Sequence, residues 1–143
     1  MTVKAILDVK GHDVMTIGPD STLADAAKLL SENRIGALVV TRGDDRIAGI
    51  LSERDIVRIV GAKGGTALEL PVSKAMTAAV KVCQETNTAM ELMEIMTQGR
   101  FRHLPVEKDG KLDGIISIGD VVKLRIEEVL REAEDIKSYI ATA

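Results

Sequence analysis

The chain has 143 residues, of which 45% are apolar, 29% charged and only 1% aromatic, with a formal net charge of −3. At that length it makes one compact unit or two small ones that must share a core, since below about 70–80 residues a lone core is barely self-sufficient. Lys and Arg are scattered among the acids and there is no Trp, so neither a phosphate-tracking stripe nor a base-stacking platform is visible and nucleic acid is not an expected partner.

Met1 to Lys10 lacks the long apolar run of a secretory leader, and no stretch approaches the roughly 18 apolar residues of a spanning helix. A short strand is expected at Val14–Ile17. Thr22 can then cap a helix whose apolar Leu23, Ala26, Ala27 and Leu30 fall at helical spacing. Ala37-Leu-Val-Val40 is a continuous apolar run suited to a strand buried on both faces. Gly43-Asp-Asp45 supplies turn chemistry for a β-hairpin, and a second helix starts at Ser52.

The glycines of Gly61-Ala-Lys-Gly-Gly-Thr66 and Pro71 mark a linker. The glycine run has phosphate-loop composition but not the G-x-x-x-x-G-K-[ST] order. Beyond it the chain repeats itself. Thr22 to Arg34 aligns without gaps on Thr88 to Arg100, Leu38-Val-Val40 on Leu104-Pro-Val106, and Gly49 to Asp55 on Gly114 to Asp120. The second copy therefore has a strand at Val80–Val82, a helix from Thr88, a hairpin turning at Lys108-Asp-Gly110 and a helix from Ser117 that runs on to about Ile140. Val121, Leu124, Val129 and Ile136 are partly spaced for one face of this last helix, which needs something to pack on. Cys83, the single cysteine, excludes an internal disulfide and suits a reducing cytoplasm, where the protein is expected to reside.

Ser52-Glu-Arg-Asp55 and Ser117-Ile-Gly-Asp120 sit at helix starts. A hydroxyl there, beside free N–H groups and the positive dipole end, suits a phosphate or ribose oxygen, and an ionised Asp suits the two donors of a ribose diol. The same pattern is also an ordinary capping box, and both roles can coexist. His12, His103 and Cys83 are too few and scattered for a metal site, and no Ser-His-Asp or Cys-His spacing suggests a nucleophile, so neither catalysis nor a catalytic cofactor is expected.

The two apolar strands, the repeated Gly-Ile-[Leu/Ile]-Ser-x-x-Asp turn and Arg100-Phe-Arg-His-Leu-Pro-Val106 resemble the cystathionine β-synthase (CBS) domain, which occurs in tandem pairs. The resemblance implies a mixed α/β (α+β) fold of two β-α-β-β-α repeats packed with pseudo-two-fold symmetry. Residues 8–62 would form the first copy, 63–72 the linker, 73–131 the second copy and 132–143 a helical extension. It further implies nucleotide clefts between the copies for AMP, ADP, ATP, S-adenosylmethionine or NAD.

Ser52, Asp55, Ser117 and Asp120 would hold ribose and phosphate in those clefts. Phosphates would fall near Arg34, Lys81, Arg100, Arg102 and His103, with Arg favoured for bidentate contacts. The resemblance places adenine at Thr16, Ile17, Val80 and Val82, with Ile35 and Phe101 nearby and Pro105 in the same motif. Gly36 and Ala37 stand where the second copy has Arg102 and His103, and Arg54 stands opposite Gly119, so unequal clefts are expected. The expected function is a nucleotide-sensing regulatory module, a homodimer acting on another protein. The alternative is an interaction module with vestigial clefts that works through dimerisation and its last helix.

Overall fold

The computed structural model describes residues 1–142. Helix α1 (Val3–Lys10) is followed by β1 (Thr16–Ile17), α2 (Leu23–Asn33), β2 (Ala37–Arg42), β3 (Arg46–Ser52) and α3 (Glu53–Lys63). Two short 3-10 turns, Gly65–Glu69 and Val72–Lys74, lead to α4 (Ala89–Gly99), β4 (His103–Lys108), β5 (Lys111–Ser117) and the 25-residue α5 (Ile118–Thr142). Thr22 and Thr88 cap α2 and α4 as expected: their side-chain oxygens accept the N–H groups of Asp25 (3.1 Å) and Glu91 (3.2 Å). Among the described residues no helix is long and apolar enough to cross a membrane.

The two copies build equivalent sheets. β1 runs parallel to β2 and β2 antiparallel to β3, with Leu38 opposite Leu51. β4 and β5 pair in the same way, with Leu104 opposite Ile116. The register slips after Val40 in one copy and after Val106 in the other, so even the irregularity is repeated. Ala37, Leu38, Val39 and Val40 are all buried, as the unbroken apolar run requires.

The strand expected at Val80–Val82 shrinks to one ladder contact, Cys83 beside Val106. The reason is Pro105. In the first copy the equivalent Val39 donates its N–H to the Met15 carbonyl oxygen (3.3 Å), whereas proline has no N–H to give and the second copy loses that rung.

Each core is completed by the segment that precedes the other copy. Val3, Ile6 and Leu7 of α1 are buried with Leu92, Met96, Leu104, Val106 and Ile116 of the second copy. Their i, i+3, i+4 spacing is the signal of a helix that sequence reading passed over. Val72 and Ala75, with the half-buried Leu68, Leu70 and Met76, fill the corresponding place against Leu23, Leu30, Leu38 and Leu51. The segment read as a linker thus also closes a core. Two equivalent glycines admit these crossings: a Cβ on Gly49 would come within 2.7 Å of the Thr77 carbonyl oxygen, and one on Gly114 within 2.8 Å of Leu7 Cδ2. The exchange makes the two copies one folding unit and brings the start of α3 against the start of β4.

Candidate functional site: a cleft between the copies

Both Ser-x-x-Asp turns are capping boxes. Asp55 Oδ2 accepts the Ser52 N–H (2.9 Å) and hydroxyl (3.1 Å), and the Asp55 N–H returns to Ser52 Oγ (3.3 Å). Asp120 Oδ2 accepts the Ser117 N–H (2.9 Å), and the Asp120 N–H returns to Ser117 Oγ (3.2 Å). Each turn is anchored to its own strand entrance, Glu53 N–H to the Gly36 oxygen (3.0 Å) and Ile118 N–H to the Arg102 oxygen (2.8 Å).

The carboxylates then diverge. Asp55, 6% exposed, accepts from Arg58 through Oδ1 (2.7 Å). Asp120 is joined by Lys10, the last residue of α1, at 2.7 Å. Burial pushes the Asp120 carboxyl up, but the Lys10 ammonium and the Ser117 hydrogen bonds outweigh it and hold the group below its ordinary value.

A cleft of about 390 Å³ opens between the copies. The first copy contributes Gly36, Ala37, Ser52, Arg54 and Asp55, and the second Arg100, Phe101, Arg102 and His103. These nine expected residues are joined there by Ile50, Glu53, Arg58, Thr77 and Gly99. Arg58 was legible, because it lies one helical turn beyond Asp55 and Arg54; Thr77 is brought in by the crossing segment and has no local signal.

The other expected residues are not in this lining. Ile17 and Pro105 are buried in the sheets, Thr16, Arg34 and Lys81 are exposed, and Ile35, Val80 and Val82 are half-buried. Ser117, Gly119 and Asp120 form the equivalent turn of the second copy, where Lys10 engages the carboxylate. Neither Lys10 nor its docking on Asp120 was expected from sequence.

Four arginines (Arg54, Arg58, Arg100, Arg102) and two acidic residues (Glu53, Asp55) line the cleft, and α3 begins at its edge. The surplus of arginine and the positive end of the α3 dipole suit a phosphorylated ligand. His103 lies over Gly36, with Cε1 3.3 Å from where a Cβ would stand. Burial lowers the His103 pKa first and Lys10 and Arg102 lower it further, against the pull of Glu53 and Asp120.

Folding therefore disfavours the charged form of His103, and the unfolded chain takes up a proton more readily as the pH falls through the ordinary value of 6.5. His103 should thus subtract stability progressively below that pH, down to its depressed folded value. His103→Gln is expected to show a smaller fall in melting temperature between pH 7 and 5 than the parent; a parallel fall in both would contradict this assignment.

The family model for the CBS domain matches the chain twice, over residues 6–62 and 72–127. A CBS-domain containing protein from Agrobacterium tumefaciens, known from its crystal structure, is 54% identical, aligns over 87% of this chain and 99% of its own, and superposes with a TM-score of 0.84. A 17.7 kDa protein of Acidianus ambivalens is 37% identical over 129 residues, 87% of this chain and 77% of the relative. The mitochondrial CBS domain-containing protein CBSX3 of Arabidopsis thaliana is 35% identical over 85% of this chain, which spans 61% of that protein. Two solved structures below 25% identity share the fold and contain adenosine ligands. They are the CBS domain pair of protein MJ0100 with 5′-methylthioadenosine and S-adenosyl-L-methionine (22% identical over 90% of this chain and 98% of that one, TM-score 0.78) and CBSX2 with AMP (24% over 82% and 90%, TM-score 0.71).

Proposed function

The chain belongs to the CBS domain family, as a tandem pair of copies, and from that premise we propose that it is a non-catalytic regulatory module that binds an adenine mononucleotide in the cleft between them. The observation that carries the reading is the convergence of Arg54, Arg58, Arg100 and Arg102 on the capped start of α3, where Ser52 and Asp55 would meet ribose and phosphate. The adenosine ligands of the MJ0100 pair and of CBSX2 support the same class of ligand. At about 390 Å³ the cleft lies near the lower end of the roughly 300–1,000 Å³ typical of small-molecule sites, which favours AMP over a dinucleotide such as NAD. The lining of this cleft includes the first Ser-x-x-Asp turn and not the second, so one nucleotide per chain binds more tightly than any second.

The module works as a homodimer through α5. Beyond Leu124 this helix leaves the core, and Val122, Ile126, Val129, Ala133, Ile136 and Ile140 recur at alternating steps of four and three. That is the heptad spacing of a coiled-coil seam. Val122, Ile126, Val129, Ile136 and Ile140 are between 42% and 69% exposed. Glu132 and Lys137 flank the seam at the g and e positions that pair across a parallel two-stranded coil. Ligand occupancy would then be read by a partner protein through the geometry of the dimer, to the extent that the ligand binds two geometries unequally.

A thermal-shift panel of AMP, ADP, ATP, NAD and S-adenosylmethionine tests the ligand class. A ligand at 100 times its dissociation constant adds about 2.7 kcal/mol to the native state. AMP is expected to raise the melting temperature most; no shift with any member at millimolar concentration would leave the dimeric interaction module as the better reading.

A further inference from the structure

Three residues that sequence separates widely meet away from the nucleotide cleft. His12 lies in the crossing between α1 and β1, Glu85 in the segment before α4, and Asp113 on β5. One ligand atom from each lies within 4.8 Å of the others. His12 Nδ1 is 2.9 Å from the Asp113 carbonyl oxygen and 3.2 Å from its Oδ1. Asp113 Oδ2 is buried and has no hydrogen-bond partner among the described residues. A buried carboxylate oxygen without a donor is costly and calls for a cationic or hydrogen-bonding partner.

We propose that His12, Glu85 and Asp113 form a divalent transition-metal site. With the ring proton on Nε2, the His12 Nδ1 lone pair faces the Asp113 oxygens, and an ion held between them would be bound by both. One imidazole and two carboxylates suit zinc, cobalt, nickel or manganese better than magnesium or calcium, which prefer all-oxygen shells. Zinc bonds of about 2.0–2.2 Å need the three atoms to close to about 3.5 Å of one another, a movement within reach of side-chain rotation, with water completing the shell.

The site would act as a clasp. His12 follows the segment through which α1, packed in the second core, hands the chain to the first sheet, and Lys10 two residues earlier holds Asp120. A bound ion would pin that crossing to β5 and to the entrance of α4, strengthening the exchange that joins the two copies.

The test is calorimetric titration with zinc chloride in a non-chelating buffer, using the full chain, repeated with magnesium chloride. The expected result is one zinc per chain, at least 10-fold weaker binding in each of His12→Ala, Glu85→Gln and Asp113→Asn, and no binding of magnesium. His12 is half exposed, so its variant is expected to melt like the parent and to separate loss of a ligand from loss of fold. Absence of saturable zinc binding, or zinc affinity unchanged in His12→Ala and Glu85→Gln, would overturn the proposal.

Discussion

Asp55→Asn is expected to weaken AMP binding by about 10- to 150-fold while lowering the stability of the ligand-free protein by only about 1 kcal/mol. Asn is itself a good cap residue, and its oxygen can still accept the Ser52 N–H that Asp55 Oδ2 holds at 2.9 Å. Arg58 loses its acceptor, but its side chain is 69% exposed and its guanidinium can turn to water. A ribose diol, by contrast, meets one acceptor and a misplaced donor where it had a carboxylate. Hydrogen bonds to charged groups contribute roughly 1.5–3 kcal/mol each, which sets the range of affinity loss. Asp120→Asn is the matched control, because it alters an equivalent capping box that Lys10 already engages, and should leave the tight site nearly unchanged. Equal affinity in parent and Asp55→Asn, with reduced stability, would make Asp55 a cap and nothing more.

Joint replacement of Val129 and Ile136 by Glu is expected to weaken self-association by at least 100-fold without unfolding the cores. Both side chains stand on the exposed seam of α5, 46% and 60% exposed, whereas Val121 and Leu124 hold the same helix to the second core from its other face. Burying an aliphatic side chain contributes about 1.5–3 kcal/mol, and a two-fold interface counts each substitution twice. The new carboxylates would also face their own copies across the axis. Sedimentation velocity at micromolar concentration should give a dimer for the parent and a monomer for the variant, which should still unfold in one cooperative transition. A monomeric parent, or a variant that still dimerises, would remove α5 from the interface.

What sequence could show here was whatever local spacing encodes. The Thr22/Thr88 caps, the apolar β2 run and the twin Ser-x-x-Asp turns all recur in the second copy, with the offset changing by one residue at the hairpin turn, and the structure reproduces each. The convergence of Arg54 and Asp55 with Arg100, Phe101, Arg102 and His103 was reached through family resemblance, since no local pattern says which strand end faces which helix. The exchange of flanking segments was hidden for the same reason. Val3, Ile6 and Leu7 announce an amphipathic turn but not the core it enters, and Lys10 finds Asp120 at a separation of 110 residues. Pro105 shows the opposite case: its missing N–H was readable, yet its effect on the Val80–Val82 strand depended on knowing which neighbour it would have served. The approach of His12 to Glu85 and Asp113 was likewise hidden, because the sequence reading weighed His12 only with His103 and Cys83 and distance along the chain is a poor guide once segments cross.

A crystal structure of the protein grown with saturating AMP tests most directly whether the cleft between the copies holds an adenine mononucleotide. One AMP per chain is expected in the cleft, with a ribose hydroxyl on Asp55 and the phosphate among Arg54, Arg100 and Arg102. AMP bound only elsewhere on the chain, or no AMP bound at all under those conditions, would contradict it.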